Sequence, residues 1–184
     1  DSYRPFLDLF ERHPGIRLAI HTSGPLVEWL DRHHPDYLDR LARLAAQGRV
    51  EIVGGAFHEP VLAMLPARDR IGQITSFSRW LEGRLGTKVS GMWVASRRHG
   101  ALAVFGDDGE KFGVWPETHR ACFEEGWLES FFTLLERNAD WIEMALPSEV
   151  VRDTPPAGTV WLPEGSYREM TEWVLPPETQ LACV

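Results

Sequence analysis

Asp107, Asp108 and Glu110 put three carboxylates within four positions, on a glycine-containing turn that runs on to Phe112 and Trp115. The apolar run Ala101-Leu102-Ala103-Val104-Phe105 precedes them and reads as a short buried strand. Side chains at the C-terminal ends of parallel strands converge on one mouth, which is where many α/β enzymes do their chemistry. Crowded carboxylates cannot all ionise freely, so one can stay protonated and act as an acid. The same residues also read as a polar turn capping a helix, with Asp as N-cap and Glu in the first turn. Glu59 lies between Gly54-Gly55 and Pro60 and on its charge alone reads as a loop residue. His21 and His58 are open to two readings, because a histidine at a strand end is more often a hydrogen-bonded structural group than a ligand. Asp107, Asp108, His21 and His58 could together make a metal site, but no His-x-x-x-His spacing supports one, so no metal and no cofactor is expected. Ser96 has no activating base in a recognisable motif, and Gly-x-Ser-x-Gly is absent, so it is not expected to act as a nucleophile.

The elements that must carry these residues alternate between helix and strand. Ser2 to Arg12 has Phe6, Leu7, Leu9 and Phe10 at helical spacing, and Arg17 to His21 is strand-like. Pro25 to Arg32 and Asp36 to Gln47 read as helices, punctuated by Pro35 and stopped by Gly48. Val50 to Val53 is a strand, broken by Gly54-Gly55. Ala67 to Leu85 is a long helix with Ile71, Ile74, Phe77, Trp80 and Leu81 on one side. Lys88 to Ala95 and Leu102 to Phe105 read as strands, Glu125 to Asn138 as a helix, and Trp141 to Met144 as a strand. A helical turn begins at Ser148, and residues 154–158 form a loop. Such alternation argues for a parallel sheet with helices outside, and His21, Glu59, Ser96 and Asp108 each fall just after a strand.

At 184 residues the chain allows one domain with a sizeable core. Apolar content of 43% and charged content of 25% are ordinary for a globular protein. A net charge of -8 argues against nucleic acid, and no run is long enough to span a bilayer. Cys122 and Cys183 make no disulfide framework and point to a reducing, cytoplasmic compartment. Of the eight tryptophans, Trp29, Trp80 and Trp141 are expected in the core. His33 and His34 are expected to be solvated.

The twelve residues from Phe105 to Pro116 resemble the acid/base motif of glycoside hydrolase family 57, the family of 4-α-glucanotransferases and related α-amylases. Leu18 to Leu26 resembles the family's early strand and turn. Glu51 to Pro60 resembles its Gly-Gly-x-x-x-Glu-Pro motif, Gly91 to Arg97 its nucleophile motif, and Ser166 to Trp173 the segment closing its catalytic domain. The resemblance implies an α/β fold of incomplete (β/α)7-barrel type, with parallel strands and outer helices, and the apolar runs supply about five of those strands. It implies Asp108 as acid/base, Asp107 and Glu110 as tuning or sugar-binding groups, and Glu59, His58, His21, Trp93 and Trp115 as substrate-binding residues. The departures are equally specific. Ser96 stands where the family's nucleophilic Glu is expected, and only residues 97–101 separate the two motifs. The family's opening His-x-His-Gln-Pro strand is absent, so the chain resembles a member missing its first strand, a central block and its downstream part.

Retaining glycoside cleavage needs a nucleophile and an acid/base about 5 Å apart. The expected function is therefore that of an α-glucan-active hydrolase or transglycosylase by lineage, binding α-glucan or malto-oligosaccharide but inactive through Ser96. A non-catalytic carbohydrate-binding or vestigial domain is the alternative, and a metal-dependent hydrolase of carbohydrate substituents is more remote. The oligomeric state is not legible.

Overall fold

The structure is a computed structural model that describes residues 2–60, 65–89 and 106–155. It opens with helix α1 (Tyr3–Arg12), which buries Leu7, Leu9 and Phe10. Strand β1 (Leu18–His21) follows, then α2 (Gly24–His33) and α3 (Pro35–Ala46), and then β2 (Val50–Val53). Pro35 explains the break between α2 and α3, since proline ends one helix and is favoured in the first turn of the next. α3 buries Tyr37, Leu38, Leu41 and Leu44 along one face. It ends where Arg49 N–H donates to Leu44 O at 3.0 Å and Gly48 N–H donates to Ala45 O at 2.9 Å. Those two bonds close its last turn and aim the chain back at the sheet.

β1 and β2 pair in parallel, with Leu18 opposite Val50 and His21 opposite Val53. A parallel pair needs a crossover of a dozen or more residues, which α2 and α3 provide. The direction of the helices follows from a ladder of ion pairs. Arg4 meets Asp36, Arg40 meets Asp8 and Glu11, and Arg43 meets Glu11. Ascending numbers pair with ascending numbers, so α1 and α3 lie side by side and parallel. α3 delivers the chain to the start of β2, so both helices begin at the C-terminal edge of the strands and end at the opposite edge. Consistent with this, Arg49 at the head of β2 donates to the carbonyls of Phe10 and His13 at the end of α1.

Helix α4 (Ala67–Leu85) packs on α3 through Phe77, Leu81 and Leu85. A 3-10 turn (Gly109–Phe112), a π-helical turn (Arg120–Glu124), α5 (Trp127–Arg137) and α6 (Pro147–Asp153) complete the described part. Phe10, Phe77, Leu7, Leu38 and Leu128 are among the side chains fully withdrawn from solvent at the centre.

The α/β class with parallel strands is as expected, but several elements differ. α5 starts at Trp127 rather than Glu125, because Gly126 has φ 75, a conformation that costs a side-chain-bearing residue energy and keeps Glu125 out of the helix. Trp141 to Met144 is not a strand, since the N–H groups of Trp141 and Ile142 turn back to Asn138 O instead of pairing laterally. Lys88 and Val89 are irregular. Residues 90–105, which hold the rest of that expected strand and the whole of Leu102–Phe105, lie outside the described residues. Trp80 is half-buried against the core, whereas Trp29 and Trp141 are exposed. Trp29 stacks on His33 one turn further on, at 4.8 Å between centroids, and the Trp141 indole N–H donates to Asn138 Oδ1. Both rings find local partners on the surface, which is how they stay outside the core. Of the two neighbouring histidines, His33 is exposed and His34 half-buried, its Nδ1 3.4 Å from Arg4. On α4, Ile71 and Ile74 are exposed despite lying on the stripe that carries Phe77 and Leu81. Among the described residues no helix is long and apolar enough to cross a membrane, and Cys122 is free and buried.

Candidate active site

Two groups of side chains stand at the C-terminal edge of the strands. The first is built on β1 and the loop after β2. His21, the last residue of β1, places Nδ1 3.0 Å from Val53 O and Nε2 2.8 Å from Glu59 Oε1. The loop reaches His21 by an unusual backbone path. Glu59 has φ 49, which few residues with a side chain adopt. Gly55 passes so close that an added Cβ would lie 3.0 Å from the His21 ring. Phe57 O accepts from Gly24 N–H at 2.9 Å, pinning the same loop to the start of α2. His58 is exposed; its backbone N–H donates to Gln73 Oε1 on α4, and its ring lies against Phe57. Phe57, His58, Gly72, Gln73 and Ser76 line a shallow open depression beside this loop.

The second group is the acid turn. Asp108 precedes the 3-10 turn without capping it through its side chain. The Lys111 ammonium sits 2.6 Å from Asp107 Oδ1 and 3.7 Å from Asp108 Oδ2. Asp107 Oδ1 also accepts the Asp108 N–H at 2.9 Å. Lys111 first, then that backbone bond, hold the Asp107 carboxyl below the usual aspartate range. The crowding expected to push a carboxylate upward is thus answered at Asp107 by a cation four residues along the chain. Glu110 Oε1 accepts from the Tyr3 hydroxyl at 3.0 Å. Burial, and then this bond to a carboxylate, push the Tyr3 phenol up to about 12. Phe112 packs on Phe6 at 5.3 Å, so the turn rests on the N-terminal half of α1. Asp108 is 75% exposed, and Trp115 is exposed with Lys111 5.3 Å from its ring.

The acid turn therefore sits at the N-terminal end of α1, on the same edge of the sheet as His21 and Glu59. The two groups are held separately, the first by β1, β2 and α4, the second by α1. Trp93 and Ser96 lie outside the described residues. Among the described residues no group of three or more His, Cys, Asp or Glu side chains is placed to hold a metal ion. Two residues that sequence reasoning left unassigned shape the site. Lys111 was legible as a cation at helical spacing from two carboxylates, whereas Tyr3 bonds across more than a hundred residues and left no local signal. A depression of about 610 Å³, lined by Gly15, Arg17 and Trp141 among others, opens at the opposite edge of the strands.

A parallel strand pair wrapped by helices, with carboxylates and an exposed tryptophan at the C-terminal edge of the strands, is an α/β architecture with an acidic strand-end site. The chain belongs to Glycosyl hydrolase family 57, whose sequence profile matches residues 1–98 and again 94–163. It is 32% identical to an alpha-amylase of Pyrococcus abyssi over 256 aligned positions, covering 96% of this chain and 39% of that protein. It is 31% identical to a 4-alpha-glucanotransferase of Thermococcus litoralis, covering 95% of this chain and 38% of that one. The crystal structure of 4-alpha-glucanotransferase from Thermococcus litoralis superposes with a TM-score of 0.83 at 30% identity, over 97% of this chain and 40% of the other. The chain thus spans about two fifths of the length of these relatives.

Proposed function

We propose that residues 1–184 form one partial catalytic domain that carries the substrate-binding and acid-bearing part of a retaining α-glucan hydrolase or transglycosylase, without its nucleophile. The observation that supports this most directly is the way the family profile matches. It matches in two pieces that share residues 94–98, and Ser96 lies among those five. The 256 positions aligned with the Pyrococcus abyssi protein exceed the 184 residues of this chain by 72, so at least that many positions face a gap. A break at 94–98 separates the Gly-Gly loop from the acid turn, where the family's nucleophile motif is expected.

In this reading Asp108 is the acid/base, Asp107 and Glu110 bind or tune, and Glu59, His58, His21, Trp93 and Trp115 make up the glucan-binding set. Carboxylates accept from sugar hydroxyls, and an exposed indole offers a flat apolar face to the sugar ring. Without a second carboxylate about 5 Å from the acid, no covalent glycosyl intermediate forms. A surviving acid alone recovers little of the rate, because residues of one catalytic unit are strongly non-additive. The partner is an α-glucan or malto-oligosaccharide rather than nucleic acid, given the net charge of -8, and the place of action is the cytoplasm.

The test is direct. The purified chain incubated with malto-oligosaccharides is expected to give neither disproportionation products nor reducing ends, while a titration with the same sugars gives saturable binding. Turnover that disappears in Asp108→Asn would overturn the inactive reading. Absence of binding would overturn the glucan reading itself.

A further inference from the structure

We infer that His21 is a positioning residue: its imidazole fixes the Glu59 carboxylate through Oε1 and leaves the other oxygen to accept a hydroxyl of the glucan. This rests on the reading of Glu59 as a glucan-binding carboxylate and says how that carboxylate is held. Four observations converge on the ring. Nε2 is 2.8 Å from Glu59 Oε1, while Nδ1 is 3.0 Å from Val53 O, so the ring is anchored to β2 as well as to the loop. Gly55 lies against the ring where an added Cβ would be 3.0 Å away, so the second glycine of the Gly-Gly pair makes room for the histidine. Phe77 meets the ring edge-on at 6.3 Å and 89°, closing the side toward α4. Glu59 takes φ 49 to reach it, a local cost that its pairing with His21 offsets.

A long carboxylate on a loop samples many rotamers, and ordering it on ligand binding carries an entropic cost. The histidine removes that cost beforehand, since the side chain is already oriented by a bond to a ring that is itself held on two sides. The Glu59 side chain remains 52% exposed, so its second oxygen stays within reach of a ligand. Histidine suits this position because its two nitrogens face, from opposite sides of one rigid ring, Val53 O at the end of β2 and Glu59 Oε1 on the loop that follows, and both bonds form when both nitrogens carry hydrogen.

The experiment compares the unsubstituted chain with His21→Ala, His21→Gln and Glu59→Gln. Maltohexaose affinity is measured by titration, and the His21 ring 15N shifts are followed by NMR. Near-UV circular dichroism checks that each variant retains its packing. Glu59→Gln is expected to move the His21 Nε2 resonance more than Nδ1 and to weaken maltohexaose about tenfold or more. His21→Ala is expected to weaken it to a similar degree, and His21→Gln, whose amide N–H can reach the same carboxylate, to recover most of the loss. Full affinity in His21→Ala alongside weakened binding in Glu59→Gln would overturn the positioning role and leave the glucan reading standing. If His21→Ala loses its packing, His21→Gln decides, and affinity as weak as that of Glu59→Gln overturns the role. An unchanged Nε2 shift in Glu59→Gln overturns the pairing in solution. No maltohexaose binding by the unsubstituted chain overturns the glucan reading, and this role with it, whatever the NMR shifts report about the pair.

Discussion

Lys111 decides the electrostatics of the acid turn. Its ammonium is shared between Asp107 and Asp108, and each of these carboxylates stands on a turn open to water. Hydrogen bonds to the charged form of a carboxylate favour that form, so the Asp107 carboxyl stays below its ordinary range while Lys111 itself is pushed up. Lys111→Met removes the largest contribution and leaves only the Asp108 N–H. In that variant Asp107 is expected to titrate closer to its ordinary value of 3.8. A carboxyl-detected NMR titration reads the change directly, and an unmoved Asp107 would show that the backbone bond alone sets it.

At the scale of the element, α1 ties the two edges of the sheet together. Its first residues support the acid turn through Tyr3 and Phe6, and its last residues lead into a clamp on α5. His13, only 5% exposed, has Nδ1 2.9 Å from Glu136 Oε2 and Nε2 2.9 Å from Glu129 Oε1. Glu136 also accepts the Gly15 N–H, and Arg12 reaches Glu129. Arg12, and then His13, hold Glu129 below the ordinary range; burial works to raise Glu136, but His13 and Gly15 outweigh it, and it too is lowered. A lowered carboxyl contributes stability that is present above its unfolded value and is lost as pH falls through the folded one. Unfolding free energy is therefore expected to fall as pH drops below 4.5, the ordinary value for both groups. Glu136→Gln should cost about 1–3 kcal/mol at neutral pH, because the buried histidine and the Gly15 amide lose a charged acceptor. It should also flatten the acid slope. Urea unfolding at a series of pH values measures both, and an unchanged slope would remove Glu136 from the account.

At the scale of the whole molecule, the parallel pair β1–β2 is covered by α1, α3 and α4, and α6 is fastened back by the two-pronged Arg17–Glu149 pair. Exposed Ile71 and Ile74 continue the buried stripe of α4 beyond the point where the described residues cover it. At least 72 positions of the alignment with the Pyrococcus abyssi protein face a gap within this chain, which leaves less protein there to build substrate subsites and exclude water. Charge stabilisation in a wet cleft is weak, since preorganised dipoles act most strongly where solvent is excluded. Restoring a carboxylate is therefore expected to fall short. Ser96→Glu should hydrolyse an activated α-glucoside no faster than the unsubstituted chain. Clear hydrolysis above that background would mean that the missing nucleophile was the only defect.

Local order was legible from residue types alone. The break at Pro35 and the stop at Gly48 marked out α3, because helix propensity and capping act over a few residues. The acid turn was legible for the same reason, as Asp107, Asp108, Glu110 and Lys111 are neighbours in sequence. The family, too, could be read from motif order. Only the tertiary structure decided which partners these groups have. The Tyr3–Glu110 bond, the His13 clamp and the His21–Glu59 pair join positions 38 to 123 residues apart, and no local pattern encodes such distances. The exposure of Trp29 and Trp141 was settled the same way: an indole is apolar enough for a core, but its burial depends on what packs over it. Sequence alone determined which side chains could do chemistry near one another along the chain, and the fold decided which of them are held, by what, and at which edge of the sheet.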